Sequence, residues 1–175
     1  MKVVILSRDG LINRPLPDGV QQPDQWQPMP GSLEALARLQ REGYRVVIAT
    51  VQPGVANGAP RMEMLNRIHV RMLEAVRNKG GQIDAVFVCP HAANDLCRCR
   101  PPAPGLYEQI GDRLKINLAG VFAVCVNEDE AAAAQAAGAR PVIVSSTDKQ
   151  APNSISRFAS LADFVEDLVT NKIVH

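Results

Sequence analysis

Three cysteines and a histidine stand close together in the stretch from 89 to 99, as Cys89-Pro90-His91 and then Cys97-Arg98-Cys99. Thiolate and imidazole are soft to borderline donors, and four of them on one loop match the tetrahedral shell of zinc. An all-protein shell leaves no position for a catalytic water. The ion is therefore expected to be structural, ordering a proline-flanked loop from 89 to 104 and contributing on the order of 10 kcal/mol to its folding. Two other readings stay open at this point: four unrelated residues, since a free cysteine is usually a small buried hydrophobe, or a disulfide within the cluster. Cys125 lies apart in an apolar run, a distribution unlike a secreted disulfide framework and suited to a reducing compartment, the cytoplasm. His69 falls inside a helical pattern and is read as a packed or solvated side chain.

Such residues need a scaffold, and the apolar pattern supplies one. Val3–Leu6, Arg45–Thr50, Ala85–Val88, Val121–Val126 and Val142–Val144 are short β-branched runs that read as buried strands of a parallel sheet. Between them lie helical stripes. Ser32 is expected to cap the first, with Leu33, Leu36, Ala37 and Leu39 on one face and Gly43 at its end. Leu65, Ile68, Met72, Ala75 and Val76 form the second, closed by Gly80-Gly81. Leu106–Leu114, the alanine-rich Asp129–Ala137 and Leu161–Val169 complete the series, the last within a C-terminal helix placed at 160–170 after a polar loop, Asp148–Ser156. Five β-α alternations predict a doubly wound α/β fold, with all 175 residues in a single domain. Ligands of such sheets bind beyond the carboxyl ends of the strands.

Composition narrows the partners. With 19 basic and 18 acidic residues the formal charge is +1, and the basic residues form no stripe, so nucleic acid is not expected. The opening apolar run, Val3–Leu6, is too short for a signal-peptide core or a membrane span.

The strand ends carry a resemblance. Ser7-Arg8-Asp9-Gly10 resembles the D-x-D-G signature of the haloacid dehalogenase (HAD) superfamily of phosphatases. Trp26-Gln27-Pro28-Met29-Pro30-Gly31-Ser32, Thr50-Val51-Gln52-Pro53-Gly54, Cys89-Pro90-His91 and Cys99-Arg100-Pro101-Pro102 follow in the order found in heptose 1,7-bisphosphate phosphatases, over roughly residues 1 to 146. These are zinc-containing, magnesium-dependent enzymes of bacterial heptose synthesis, related to histidinol-phosphate phosphatases. The resemblance implies a Rossmann-like HAD fold with a zinc-binding loop and no large cap domain. It also implies a nucleophilic aspartate at position 7, an acid/base aspartate at position 9, phosphate contacts at Thr50 and Arg100, and magnesium held by aspartates after the first and fourth strands.

Several of those positions have changed. Ser7 replaces the nucleophile, Val51 and Pro53 replace polar residues after Thr50, Pro101 replaces a lysine, and Val126 replaces the principal metal-binding aspartate of G-D-S-x-x-D, whose second aspartate is Glu130. A serine without a neighbouring base is a weak nucleophile and cannot anchor magnesium, and no histidine lies in these motifs to activate it. The acidic triplet Glu128-Asp129-Glu130 reads as a helix N-terminus whose carboxylates complement the dipole; a cation held in shifted register is the rival reading. The resulting expectation is a pseudophosphatase: zinc kept, the magnesium site lost, Asp9 the one retained catalytic position. Thr50, Arg100 and loop amides near Gly10 and Gly54 would still hold a sugar phosphate or other anion weakly, and a protein partner is equally compatible. The alternative is a weak or altered sugar-phosphate phosphatase of heptose metabolism using Asp9 as a base.

Overall fold

In a computed structural model, which describes residues 1–146 and 155–170, six strands form one parallel sheet in the order β3-β2-β1-β4-β5-β6. The strands are β1 (Lys2–Leu6), β2 (Tyr44–Val51), β3 (Ala85–Cys89), β4 (Phe122–Cys125), β5 (Arg140–Val144) and β6 (Arg157–Phe158). The helices are α1 (Ser32–Arg41), α2 (Met62–Asn78), α3 (Gly105–Leu114), α4 (Glu128–Ala136) and α5 (Leu161–Thr170). From β1 the chain first winds outward through β2 and β3, then returns to add β4 on the other side. The switch of direction between β1 and β4 opens a crevice at their carboxyl ends, where such folds bind ligands.

The period-two alternation of β1 divides the core. Val4 and Leu6 face a cluster with Leu36, Leu39, Ile68, Met72, Phe164 and Leu168, from α1, α2 and α5. Val3 and Ile5 face the other cluster, with Leu106, Ile110, Ala131 and Ala134 from α3 and α4. Apolar residues on both faces are what a strand needs when helices cover both sides. The alanine-rich face of α4 allows close approach to the sheet.

Two expectations change, and a third falls mostly outside the described residues. The sheet has a sixth strand, β6, too short to leave a period in the sequence. Ser32 is not the α1 cap: Gly31 takes that position at φ 77°, and the Ser32 hydroxyl donates instead to the carbonyls of Ile12 (2.8 Å) and Met29 (2.9 Å). It thereby fastens the loop after β1 to the start of α1. The polar loop expected at Asp148–Ser156 lies, apart from its last two residues, outside the described residues.

Candidate functional site

Ser7 and Asp9 leave the end of β1, Thr50 and Gln52 the end of β2, and Val126 the end of β4, so the topological switch brings them to one crevice. The turn after β1 is tight. Gly10 sits at φ 82°, which favours glycine, and a Cβ built there would meet Val126 Cγ1 at 3.7 Å. Val126 thus lies against the β1 turn. The Gly10 amide donates to the Asn13 carbonyl at 2.8 Å, so it is not free for an anion, contrary to expectation.

Ser7 is buried, and its hydroxyl donates to Oε2 of Glu130, which also accepts the Val126 amide at 3.0 Å. Asn127 caps α4 by accepting the Glu130 amide at 2.9 Å, which starts the helix where the third residue of the acidic triplet turns inward. Glu128 and Asp129 remain exposed, as expected of a helix N-terminus. Glu130 does not. The expectation of a serine without a neighbouring base is thereby corrected: glutamate reaches one methylene further than aspartate, and its carboxylate meets position 7. Burial raises the Glu130 pKa above the ordinary glutamate value, the bonds from Ser7 and Val126 partly oppose that, and the charges of Asp9 and Asp129 add to it.

Asp9 belongs to a separate network. Its Oδ1 accepts from Arg8 Nη2 (2.9 Å), Arg8 Nε (3.3 Å) and Asn13 Nδ2 (3.0 Å), and its Oδ2 accepts from Gln52 Nε2 (2.7 Å). Gln52 Nε2 also donates to Thr50 Oγ1 at 2.9 Å. Arg8 is 0% exposed, and its Nη1 lies 3.0 Å from His69 Nε2. Burial, then the Arg8 charge, lowers the His69 pKa to about 4, against a weaker opposite pull from Asp9. His69 therefore reaches the second layer of the site. Its place between Ile68 and Met72 on the buried stripe of α2 was the available signal, a titratable residue at an apolar position.

The cysteine–histidine cluster forms beside this crevice. Val51 pairs in register with Cys89, and the Gln52 amide donates to the Cys89 carbonyl at 2.8 Å, so the end of β2 and the start of the loop are fastened together. The donor atoms of Cys89, His91, Cys97 and Cys99 lie within 4.8 Å of one another. The separations are 2.8 Å for Cys89–Cys99, 3.1 Å for His91 Nδ1–Cys99, 3.7 Å for Cys89–His91 Nδ1 and 4.0 Å for Cys89–Cys97. A tetrahedral zinc shell has ligand–ligand separations of roughly 3.5–3.8 Å; Cys89–His91 and Cys89–Cys97 lie near that range and the two contacts of Cys99 are shorter, so the four donors converge on one candidate metal position from which an ion would displace Cys99 outward. All four cysteines are free, which removes the disulfide reading. Burial, then hydrogen bonding and charge from Cys89, pushes the Cys99 thiol up to about 12. A cation reverses that cost, because metal binding takes the thiolates. Arg100 Nη1 donates to the His91 carbonyl at 3.4 Å, and the half-buried Pro101 follows it.

The parallel order, the crevice at the β1–β4 switch and the strand-end motifs define the haloacid dehalogenase fold, shared with a HAD-like phosphatase from Mesorhizobium loti (TM-score 0.82, 25% identity, covering 96% of this chain and 84% of that one). No family model matches the chain. The D-glycero-beta-D-manno-heptose-1,7-bisphosphate 7-phosphatase of Bordetella bronchiseptica is 44% identical over 144 residues, covering 82% of this chain and 80% of the relative. The crystal structure of D,D-heptose 1,7-bisphosphate phosphatase from B. bronchiseptica, complexed with magnesium and phosphate, superposes with a TM-score of 0.92 at 39% identity, over 98% of this chain and 99% of that one. The chain belongs to the D-glycero-beta-D-manno-heptose-1,7-bisphosphate 7-phosphatase family.

Proposed function

We propose that this chain is a catalytically silent member of its family, a pseudophosphatase that keeps the metal loop and the strand-end crevice as a binding or regulatory module. One observation carries the reading: the position of the family nucleophile is a serine, which brings no carboxylate to hold magnesium. Magnesium-assisted phosphoryl transfer needs a carboxylate cage, a nucleophile and a cation against the developing charge. Ser7, Val126 and Pro101 take one member from each. Glu130 is a poor replacement for the cage: its Oε2 accepts two hydrogen bonds, and Val126 brings no second carboxylate to β4. Magnesium holds its waters tightly and needs anchoring carboxylates in near-ideal geometry.

The altered-hydrolase alternative runs through Asp9, and its surroundings argue against it. Both Asp9 oxygens already accept hydrogen bonds, and Asp9 is the carboxylate paired with the buried Arg8 guanidinium. A buried cation needs its counter-ion whether or not catalysis survives. Retention of Asp9 thus has a structural cause.

Cys89, His91, Cys97 and Cys99 would hold a structural zinc, which supplies no open coordination position and serves to order the loop carrying Arg100. Thr50 and Arg100 offer the remaining contacts to a sugar phosphate or related anion, at millimolar affinity or weaker, about 4 kcal/mol. Among the described residues no helix is long and apolar enough to cross a membrane, and we place the chain in the cytoplasm. Calorimetry with a sugar bisphosphate tests the binding claim: no heat below millimolar concentration is expected, and micromolar affinity would overturn it.

A further inference from the structure

Arg8 and His69 form a buried pair, a charged donor facing a titratable acceptor, that neither phosphate binding nor phosphoryl transfer uses directly. The guanidinium has no acceptor capacity, so the 3.0 Å contact from Arg8 Nη1 requires His69 Nε2 to be the bare nitrogen and Nδ1 to carry the proton. The other side of the same guanidinium, through Nε and Nη2, holds Asp9 Oδ1. Because the guanidinium is planar and rigid, fixing one edge fixes the opposite one. Asp9 in turn accepts from Asn13 and Gln52, and Gln52 reaches Thr50. A chain of hydrogen bonds therefore runs from helix α2 to the buried Gln52 and Thr50 at the end of β2.

We propose that His69 is a positioning residue of the strand-end site: its Nε2 anchors Arg8, and Arg8 sets the orientation of the Asp9 carboxylate and, through it, of the Gln52 and Asn13 side-chain amides. The role does not depend on turnover and holds whether the site binds, hydrolyses or does neither. A packing role predicts something different. His69 lies on the α2 stripe with Leu65, Ile68, Met72 and Val76, so a purely structural residue could be exchanged for leucine with no effect on amides across the crevice.

NMR of the full chain separates the two. In the unsubstituted protein the His69 ring nitrogens are expected to report the Nδ1-protonated tautomer, and the Arg8 side-chain protons to exchange slowly. His69→Leu is expected to speed Arg8 side-chain exchange roughly tenfold, as for loss of one charge-assisted hydrogen bond, and to shift the Gln52 and Asn13 side-chain amide signals. His69→Gln, whose carbonyl can accept from Arg8, is expected to return both toward their original values. Unmoved Gln52 and Asn13 signals in a folded His69→Leu protein would overturn the proposal. Should that variant not fold, an Nε2-protonated tautomer in the unsubstituted protein overturns it alone.

Discussion

The Ser7 hydroxyl and the Glu130 carboxylate, separated by most of the chain, meet at the β1–β4 switch with Ser7 donating to Glu130 Oε2. Each substitution answers the other. A carboxylate at position 7 beside the half-buried Glu130 would set two negative charges face to face with no cation between them, whereas a serine supplies a proton donor to a carboxylate partly withdrawn from water.

Ser7→Ala should therefore destabilise the protein by about 1–2 kcal/mol, the cost of leaving a half-buried carboxylate with one donor fewer. Urea denaturation measures it. A double-mutant cycle with Glu130→Gln should show coupling between the two sites; additive effects would mean the contact contributes nothing.

Glu130 also gives stability a pH dependence. Its pKa is raised in the folded state, first by burial, so above the ordinary glutamate value the folded chain binds more protons than the unfolded one. This contribution is fully present below the unfolded pKa and is lost as pH rises through the folded one. Glu130→Gln should remove that slope, visible in melting temperatures from pH 4 to 8.

His69 works in the opposite direction. Its folded pKa of about 4 lies below the ordinary 6.5, so the unfolded chain takes the proton first and stability falls as pH drops from 6.5 towards 4. The whole shift corresponds to about 3 kcal/mol. His69→Gln should flatten this limb, and an unchanged acid limb would show that other groups set it.

Sequence patterns reveal the alternation of strands and helices because burial on both faces leaves apolar runs and stripes that need no tertiary knowledge. The metal cluster is legible for a similar reason: Cys89, His91, Cys97 and Cys99 lie on one short loop, so local spacing nearly determines their geometry. Glu130 and His69 are different. Each sits on a helix far along the chain from its partner, and only the sheet order brings it to Ser7 or Arg8. The sequence shows Glu130 as one of three adjacent acids, and nothing local tells which of them turns inward. β6, at two residues, is too short to leave a period.

Asp9→Asn should cost about 3 kcal/mol, because the fully buried Arg8 loses its counter-ion and keeps only neutral acceptors, the amide oxygen at position 9 and His69 Nε2. Thermal unfolding tests this. An Arg8→Met, Asp9→Asn double variant should recover part of the loss, and a tolerated Asp9→Asn would remove the counter-ion argument.

Purified protein should carry about one zinc per chain, lost in Cys99→Ser. Chelation should raise amide exchange in the loop from 89 to 104 before the rest of the sheet is affected, since of the strand residues Cys89 alone, at the end of β3, belongs to the cluster. Metal analysis finding no zinc would contradict the assignment of the loop.

The most direct measurement is hydrolysis of heptose 1,7-bisphosphate and a panel of sugar phosphates, with and without magnesium, by the natural chain and by a Ser7→Asp, Val126→Asp variant that restores two family carboxylates. The account predicts release of phosphate by the natural chain at the background rate whether or not magnesium is present. Magnesium-dependent turnover by the natural chain, abolished by Ser7→Ala, would contradict it.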